Sequence, residues 1–171
     1  MEHHSQRATF SFADKPHIMI IEARFYEDYA DMLLGGAKAV LERAGCSYDV
    51  ITVPGALEVP AAIAFAIKAL SFDEMRRRYD GYVALGTVIK GGTRHDKIVG
   101  DISAQGLQQL ASQHTLAIGN GILTVESKEQ AMERADPARM DKGGGAAEAC
   151  LRMIELKNSF RLSTKRRWVA K

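Results

Sequence analysis

The sequence predicts an α/β fold, a three-layer αβα sandwich around a mainly parallel four-stranded sheet. Two observations carry that expectation. Four short apolar or β-branched runs are spread along the chain, at residues 17–21, 48–53, 82–85 and 116–125. Between them lie longer segments whose apolar residues recur at three- and four-residue steps, the period of an amphipathic helix. Strand and helix therefore alternate, which implies parallel pairing through right-handed crossovers. In such a sheet, ligands sit beyond the carboxyl ends of the strands.

Residues 1–15 read as a flexible N-terminal arm. Within it, Ala8-Thr9-Phe10-Ser11-Phe12 has the alternation of an extra edge strand for a neighbouring copy. His17-Ile18-Met19-Ile20-Ile21 is a compact apolar run, as expected of a strand buried on both faces. Residues 22–26 then leave the sheet as a loop. Phe25 in that loop has two readings, a stacking platform for a planar ligand or a ring folded back onto the core. Tyr29, Met32, Leu33, Gly36, Val40 and Ala44 mark a helix over 27–44, ended by Gly45. Residues 48–53 alternate and are β-branched, giving the second strand.

Pro54 and Gly55 break that strand. Glu58 falls at the start of the next helix, where a carboxylate suits the helix dipole or accepts hydrogen bonds from ligand hydroxyls. This helix continues to Leu70 and is followed by a charged connector, 71–78, with three consecutive arginines. Residues 82–85 form the third strand, and a helix runs from Asp101 or earlier to about Ser112. The fourth strand starts at Leu116, is interrupted at Gly119-Asn120-Gly121 and resumes over 122–125. Ser127 and Gln130 have capping-box spacing, so a short helix begins there. Arg134 near its end complements the helix C-terminus. Residues 136–145 read as a loop with three glycines. The last helix covers Ala146 to about Phe160, with Ala147, Cys150, Leu151, Ile154 and Phe160 as its inner stripe. One domain, residues 16–160, thus lies between the arm and a basic C-terminal tail, 161–171.

Composition narrows the function classes. The 171 residues are 46% apolar and 26% charged, with a formal charge of +2, so the chain as a whole projects no strong field toward nucleic acid or membrane. Arg161, Lys165, Arg166, Arg167 and Lys171 crowd the tail without an acid, which reads as a solvated end or a weak phosphate attractor. Cys46 and Cys150 form no CxxC pair, and the expected setting is a reducing cytoplasm. The first residues lack the apolar core of a signal peptide, and no apolar run is long enough to span a bilayer. His3 and His4 sit in a polar tail, and no His, Cys or carboxylate set has metal-ligand spacing.

The stretch Gly86 to Asp101, GTVIKGGTRHDKIVGD, is the candidate site. Its glycines allow tight turning and close approach of backbone to a ligand. Free N–H groups ahead of a helix can hold an anion. His95 stands where a proton can be moved near neutral pH. The other reading is a glycine-rich surface turn with an exposed histidine. The loops after the four strands would bring Phe25, Glu58, Gly92, Thr93, His95 and Asn120 to the same sheet edge.

Over roughly Pro16 to Leu156 the residues resemble the lumazine synthase family. The resemblance is carried by Ala23-Arg24-Phe25, by VPGALEVP at 53–60, and by GTVIKG at 86–91 with Thr93 and His95. It continues through GILT at 121–124, EQAMERA at 129–135 and Lys142-Gly143. The wording GNGILTVE is most similar to the alphaproteobacterial form. The resemblance implies a flavodoxin-like winding and a reaction without cofactor or metal. 5-Amino-6-(D-ribitylamino)uracil condenses with 3,4-dihydroxy-2-butanone 4-phosphate to 6,7-dimethyl-8-ribityllumazine, phosphate and water, the penultimate step of riboflavin biosynthesis. It implies that Phe25 stacks on the pyrimidine and that Ala56, Leu57 and Glu58 bind the ribityl chain. Thr87, Val88 and Ile89 then present backbone groups to the pyrimidine edge, with Asn120 as a further wall. Gly92, Thr93 and Arg134 hold the butanone phosphate, Arg134 reaching it across a subunit boundary, with Lys142 as a further positive charge. His95 shuttles protons. The implied assembly is a homopentamer with sites between neighbouring subunits, or paired pentamers or a shell.

The sequence departs from the family in the loop around His95. Gly92 stands in place of Glu or Ala, and Arg94 in place of Thr. Asp96 and Lys97 follow the histidine where an aromatic residue and then an Asp are usual. Asp101-Ile102 replaces an Asn-Glu pair, and Asn120 replaces Phe. Lys97 cannot take a proton from an imidazolium, whereas Asp96 can substitute if it faces the right way. Two functions are therefore carried forward. One is an active synthase with a retuned loop; the other is a lumazine- or flavin-binding, shell-forming protein with weak or no catalysis. His95, Thr93 and Arg134 favour the first, because a shell has no need of that trio.

Overall fold

The computed structural model describes residues 8–72 and 78–162. His3, His4, most of the arginine-rich connector and the tail from 163 onward lie outside the described residues. The elements in order are β1 (His17–Ala23), α1 (Glu27–Arg43), β2 (Ser47–Val53), α2 (Glu58–Ala69), β3 (Gly81–Ile89), α3 (His95–His114), β4 (Ile118–Val125), α4 (Lys128–Ala135) and α5 (Lys142–Ser159). The sheet is parallel throughout, in the order β2-β1-β3-β4. Helices α1, α4 and α5 pack on one face through Leu33, Val40, Ala131 and Leu151. Helices α2 and α3 pack on the other through Val59, Ile63 and Leu107. The α/β three-layer architecture expected from alternation is the one observed.

Each strand reads as its place in the sheet requires. β1 is central and buried along its whole length, which is why it is apolar without alternation. β2 is an edge strand and alternates. The two are pinned at their amino ends by His17. Its Nδ1 lies 2.8 Å from Ser47 Oγ and its Nε2 lies 3.1 Å from Asp49 Oδ2. Tyr79 stacks on the ring at 5.1 Å.

The structure corrects four boundaries, three of them at glycines. β1 runs on through Glu22 and Ala23 before the loop begins. β3 runs through Gly86 to Ile89, so the glycine-rich turn is confined to the residues just before α3. β4 is continuous through Gly119-Asn120-Gly121. A Cβ on Gly119 would collide with the backbone carbonyl of Ala146, so this glycine lets α5 lie directly on the sheet.

The fourth correction moves the start of α5 to Lys142, which takes all three glycines expected in the loop into its first turn, with Gly143 and Gly144 buried. Asp141 caps the helix by accepting from the Gly144 N–H at 3.0 Å, in a left-handed conformation (φ 45°) that Asp tolerates. Gly143 packs against the Leu33 carbonyl, and Gly36 leaves room for the Asp141 carboxylate. Phe160, expected on the inner stripe, is 67% exposed just past the helix end. The Ser127 cap forms as predicted, accepting from Gln130 N–H at 3.3 Å. Gln130 itself reaches one residue further back, to the Glu126 N–H at 2.9 Å.

Gly119→Ala should lower the stability of the fold by about 3 kcal/mol, the upper range for an overpacked core. The check is the midpoint of chemical denaturation, and an unchanged midpoint would show that α5 can move off the sheet at no cost.

Candidate active site

The carboxyl ends of β1, β2 and β3 meet at one edge of the sheet, and the loops that follow them enclose a cleft of about 360 Å³. From the β1 loop come Phe25 and Tyr26. From the β2 loop come Gly55, Ala56, Leu57 and Glu58. β3 and the segment after it supply Thr87, Val88, Ile89, Gly91 and Thr93. The first turns of α3 supply His95, Asp96 and Val99. Two roomier grooves, about 1050 Å³ and 660 Å³, lie elsewhere and hold none of the residues predicted for the site.

Local structure explains why each side chain faces this space. Phe25 is 73% exposed and meets Tyr26 edge-on at 5.0 Å, so it is an open platform and not a core residue. The loop that carries it is held by Arg24, which donates to Glu22 Oε2 at 3.0 Å and to Asp31 Oδ1 at 2.7 Å. Glu22 is buried and also accepts from Thr52 Oγ1 at 2.9 Å, which joins the ends of β1 and β2. Gly86 lets the end of β1 pack closely, since a Cβ there would stand 3.2 Å from Ala23 Cβ; Ala56 Cβ, at 3.9 Å, would be in ordinary contact. Glu58 is exposed at the first position of α2, and its N–H donates to the Gly55 carbonyl at 3.2 Å.

His95 opens α3. Its N–H donates to Thr93 Oγ1 at 3.3 Å, which folds the threonine back over the helix start. The ring is exposed to the cleft mouth. Thr87 differs from these open residues. It is 8% exposed, it lines the cleft, and its Oγ1 has no hydrogen-bond partner. Such a hydroxyl is one of the few buried polar groups that the fold itself leaves unsatisfied.

Of the residues expected from sequence, Phe25, Ala56, Leu57, Glu58, Thr87, Val88, Ile89, Thr93 and His95 come together. Gly92, Asn120, Arg134 and Lys142 do not line the cleft. Gly92 lies between two residues that do. Asn120 is exposed on edge strand β4, opposite Ala84, with its Oδ1 accepting from Ile122 N–H at 2.9 Å. Arg134 is half-buried on α4, donating to the Gln130 carbonyl at 3.3 Å and standing 3.6 Å from Glu133. Lys142 is exposed at the start of α5.

Tyr26, Gly55, Gly91, Asp96 and Val99 join the lining without having been predicted for it. Val99 was legible as the residue one helical turn beyond His95, once α3 is known to begin there. The buried Glu22 was hidden because a charged residue after an apolar run reads as the strand's end.

Among the described residues, no group of three His, Cys, Asp or Glu side chains is placed to hold a metal. Both cysteines are buried. Burial pushes the Cys46 thiol up to about 11 and Cys150 up to about 12, so neither is a nucleophile near neutral pH. Among the described residues, no helix is long and apolar enough to cross a membrane.

The model of the 6,7-dimethyl-8-ribityllumazine synthase family matches residues 15–158. The chain belongs to that family. It is 59% identical over 146 residues to the 6,7-dimethyl-8-ribityllumazine synthase of Agrobacterium fabrum, covering 85% of this chain and 97% of that one. It is 58% identical over 141 residues to 6,7-dimethyl-8-ribityllumazine synthase 1 of Rhizobium meliloti, covering 82% and 91%. The corresponding protein of Bartonella tribocorum is 57% identical over 146 residues, covering 85% and 93%. The family and the alphaproteobacterial likeness read from VPGALEVP, GTVIKG and GNGILTVE are both borne out.

Thr87→Val should leave the thermal midpoint of the free lumazine synthase fold unchanged or raise it. The substitution keeps the shape and removes a buried hydroxyl that has no protein partner. A midpoint several degrees lower would show that the hydroxyl is satisfied within the fold.

Proposed function

We propose that the protein is a working lumazine synthase, joining 5-amino-6-(D-ribitylamino)uracil to 3,4-dihydroxy-2-butanone 4-phosphate. The observation that carries this reading is the cleft itself. It sets an open aromatic ring, a Glu-bearing turn, a strand end with an unpartnered hydroxyl, and an imidazole around one space. A binding shell needs the platform but has no use for His95 beside Thr93.

The chemistry follows from where the groups stand. Phe25 stacks on the pyrimidine, whose polar edge meets the backbone of Thr87, Val88 and Ile89 and the Thr87 hydroxyl. Glu58 accepts from the ribityl hydroxyls at the other wall. The 5-amino nitrogen attacks the ketone carbon, and a proton must be delivered for water to leave and form the imine. A proton must next be removed from the adjacent carbon as the C–O bond to phosphate breaks. The enol left by this elimination takes a proton at its terminal carbon to become a methyl ketone, and the second amine attacks that carbonyl and closes the ring with loss of water. His95 at the mouth is the group that can both give and take those protons.

A phosphate ester also needs a fixed cation, and among the described residues no Lys or Arg lines the cleft. Arg134 is the donor suited to a bidentate hold, and Asn120 is exposed on an edge strand. Both reach the cleft of a neighbouring copy in this reading, which makes the enzyme a homopentamer or an assembly of pentamers, with Lys142 adding positive charge near the phosphate. Two free buried thiols accord with work in a reducing cytoplasm.

The direct test is steady-state formation of the lumazine chromophore from both substrates. A rate well above the uncatalysed condensation supports the reading. No acceleration by a protein that still binds the aminouracil would leave the binding, shell-forming alternative. His95→Ala should lower turnover by about tenfold or more and change substrate KM little, because it removes proton transfer and spares most contacts. An unchanged rate would remove His95 from the chemistry. Arg134→Ala should raise the KM for the butanone phosphate by about tenfold while leaving that for the aminouracil near its original value. Equal effects on both substrates would place Arg134 elsewhere.

A further inference from the structure

The ionisable side chains lining the cleft are Tyr26, Glu58, His95 and Asp96. Two of the four are carboxylates, and only Asp96 lies on the α3 side, next to His95 and near Thr93. Asp96 is half-buried in the cleft wall, whereas Lys97 is exposed and outside it. That lining places Asp96 on the cleft side of the first turn of α3.

Its surroundings leave it a source of negative charge. Lys90, Arg94 and Lys97 are exposed around the rim, and none of them lines the cleft. Lys90 is already paired to Glu126 at 2.5 Å. Glu126 holds the Lys90 ammonium above its ordinary value, with a smaller push in the same direction from Asp96. The bland role for Asp96 is to complement the α3 dipole from the first turn. That role does not require the carboxylate to face the cleft. Thr87, in the wall of the same cleft, has a buried hydroxyl without a hydrogen-bond partner.

We propose that Asp96 sets how tightly the cleft retains phosphate: its carboxylate, in the wall beside His95 and Thr93, opposes the freed phosphate dianion and speeds its departure. The inference rests on the synthase reading above, in which elimination releases phosphate next to Thr93. A substrate ester is held by its pyrimidine partner, the imine and the phosphate contacts together. Once the C–O bond breaks, the product phosphate has only the last of these. A unit negative charge in the same wall then weakens phosphate retention on the order of fivefold at moderate ionic strength.

The test uses the assembled full-length protein and inorganic phosphate as the probe. Phosphate affinity is measured by calorimetry and as product inhibition of lumazine formation, for the original protein, Asp96→Asn and Asp96→Glu. The expected result is about fivefold tighter phosphate binding and stronger inhibition in the Asn variant, an advantage that shrinks as salt is raised. The Glu variant, which keeps the charge, should stay near the original value. Unchanged phosphate affinity in the Asn variant overturns the proposal. Weaker affinity also overturns it, since Asp96 would then be organising the phosphate cradle. If the original protein forms no lumazine, the synthase reading is what fails. If it forms lumazine and is inhibited by phosphate equally in all three proteins, only the role of Asp96 falls.

Discussion

A carboxylate at the end of a central strand, shielded from water, must be matched by donors or it will cost more than the fold can spare. Glu22 is matched by two, and they belong to different parts of the chain. Arg24 reaches it from the β1 loop and Thr52 from β2, while the same Arg24 extends to Asp31 on α1. Four pieces of backbone are thereby fixed directly beneath the cleft. Phe25 rides on this network, one residue from the guanidinium, so the aromatic platform is held by the polar contacts of its neighbour more than by burial of its own ring. Loss of Arg24 would leave the buried Glu22 carboxylate without a compensating charge, and the loop would be the first element to move.

The second constraint is the close seating of α5. Glycines on β4 and at the helix start remove the Cβ atoms that would hold the helix away, and Asp141 supplies the cap that lets the helix begin inside the glycine run. With α5 and α1 locked together on one face, the other face carries α2 and α3, whose amino ends both point into the cleft. Glu58 and His95 each occupy the first position of their helix. The site is therefore built from two helix starts and the ends of three strands, the arrangement that a parallel sheet offers at its carboxyl edge.

Much of this was legible in the sequence. Uninterrupted apolar runs gave away the buried strands, and the S-x-x-Q spacing gave away α4. The two scaffold motifs, VPGALEVP and GTVIKG, located two walls of the cleft by resemblance. What stayed hidden has a common cause. Glycine is read from sequence as a break, yet Gly86 and Gly119 sit inside strands because a neighbour needs the space a side chain would fill. The same confusion delayed the start of α5. Glu22 was read out of its strand because local polarity says nothing about a partner such as Thr52, thirty residues away. Arg134 and Lys142 were assigned by resemblance, and Asn120 also by its place along the fourth strand; among the described residues none of the three lines the cleft, and no periodicity in the sequence signals that.

The openness of Phe25 has a calorimetric consequence. Its ring keeps 73% of its surface in water beside the half-buried apolar walls of Val88, Ile89 and Val99. A planar heterocycle that lies on it removes that water without first having to order the loop, which the Arg24 network has already done. In the proposed binding mode, association would proceed with a negative change in heat capacity and a small conformational penalty, so its enthalpy would become steadily more favourable on warming. The temperature dependence of ligand binding is in this sense written into a single aromatic side chain that the folded chain leaves uncovered.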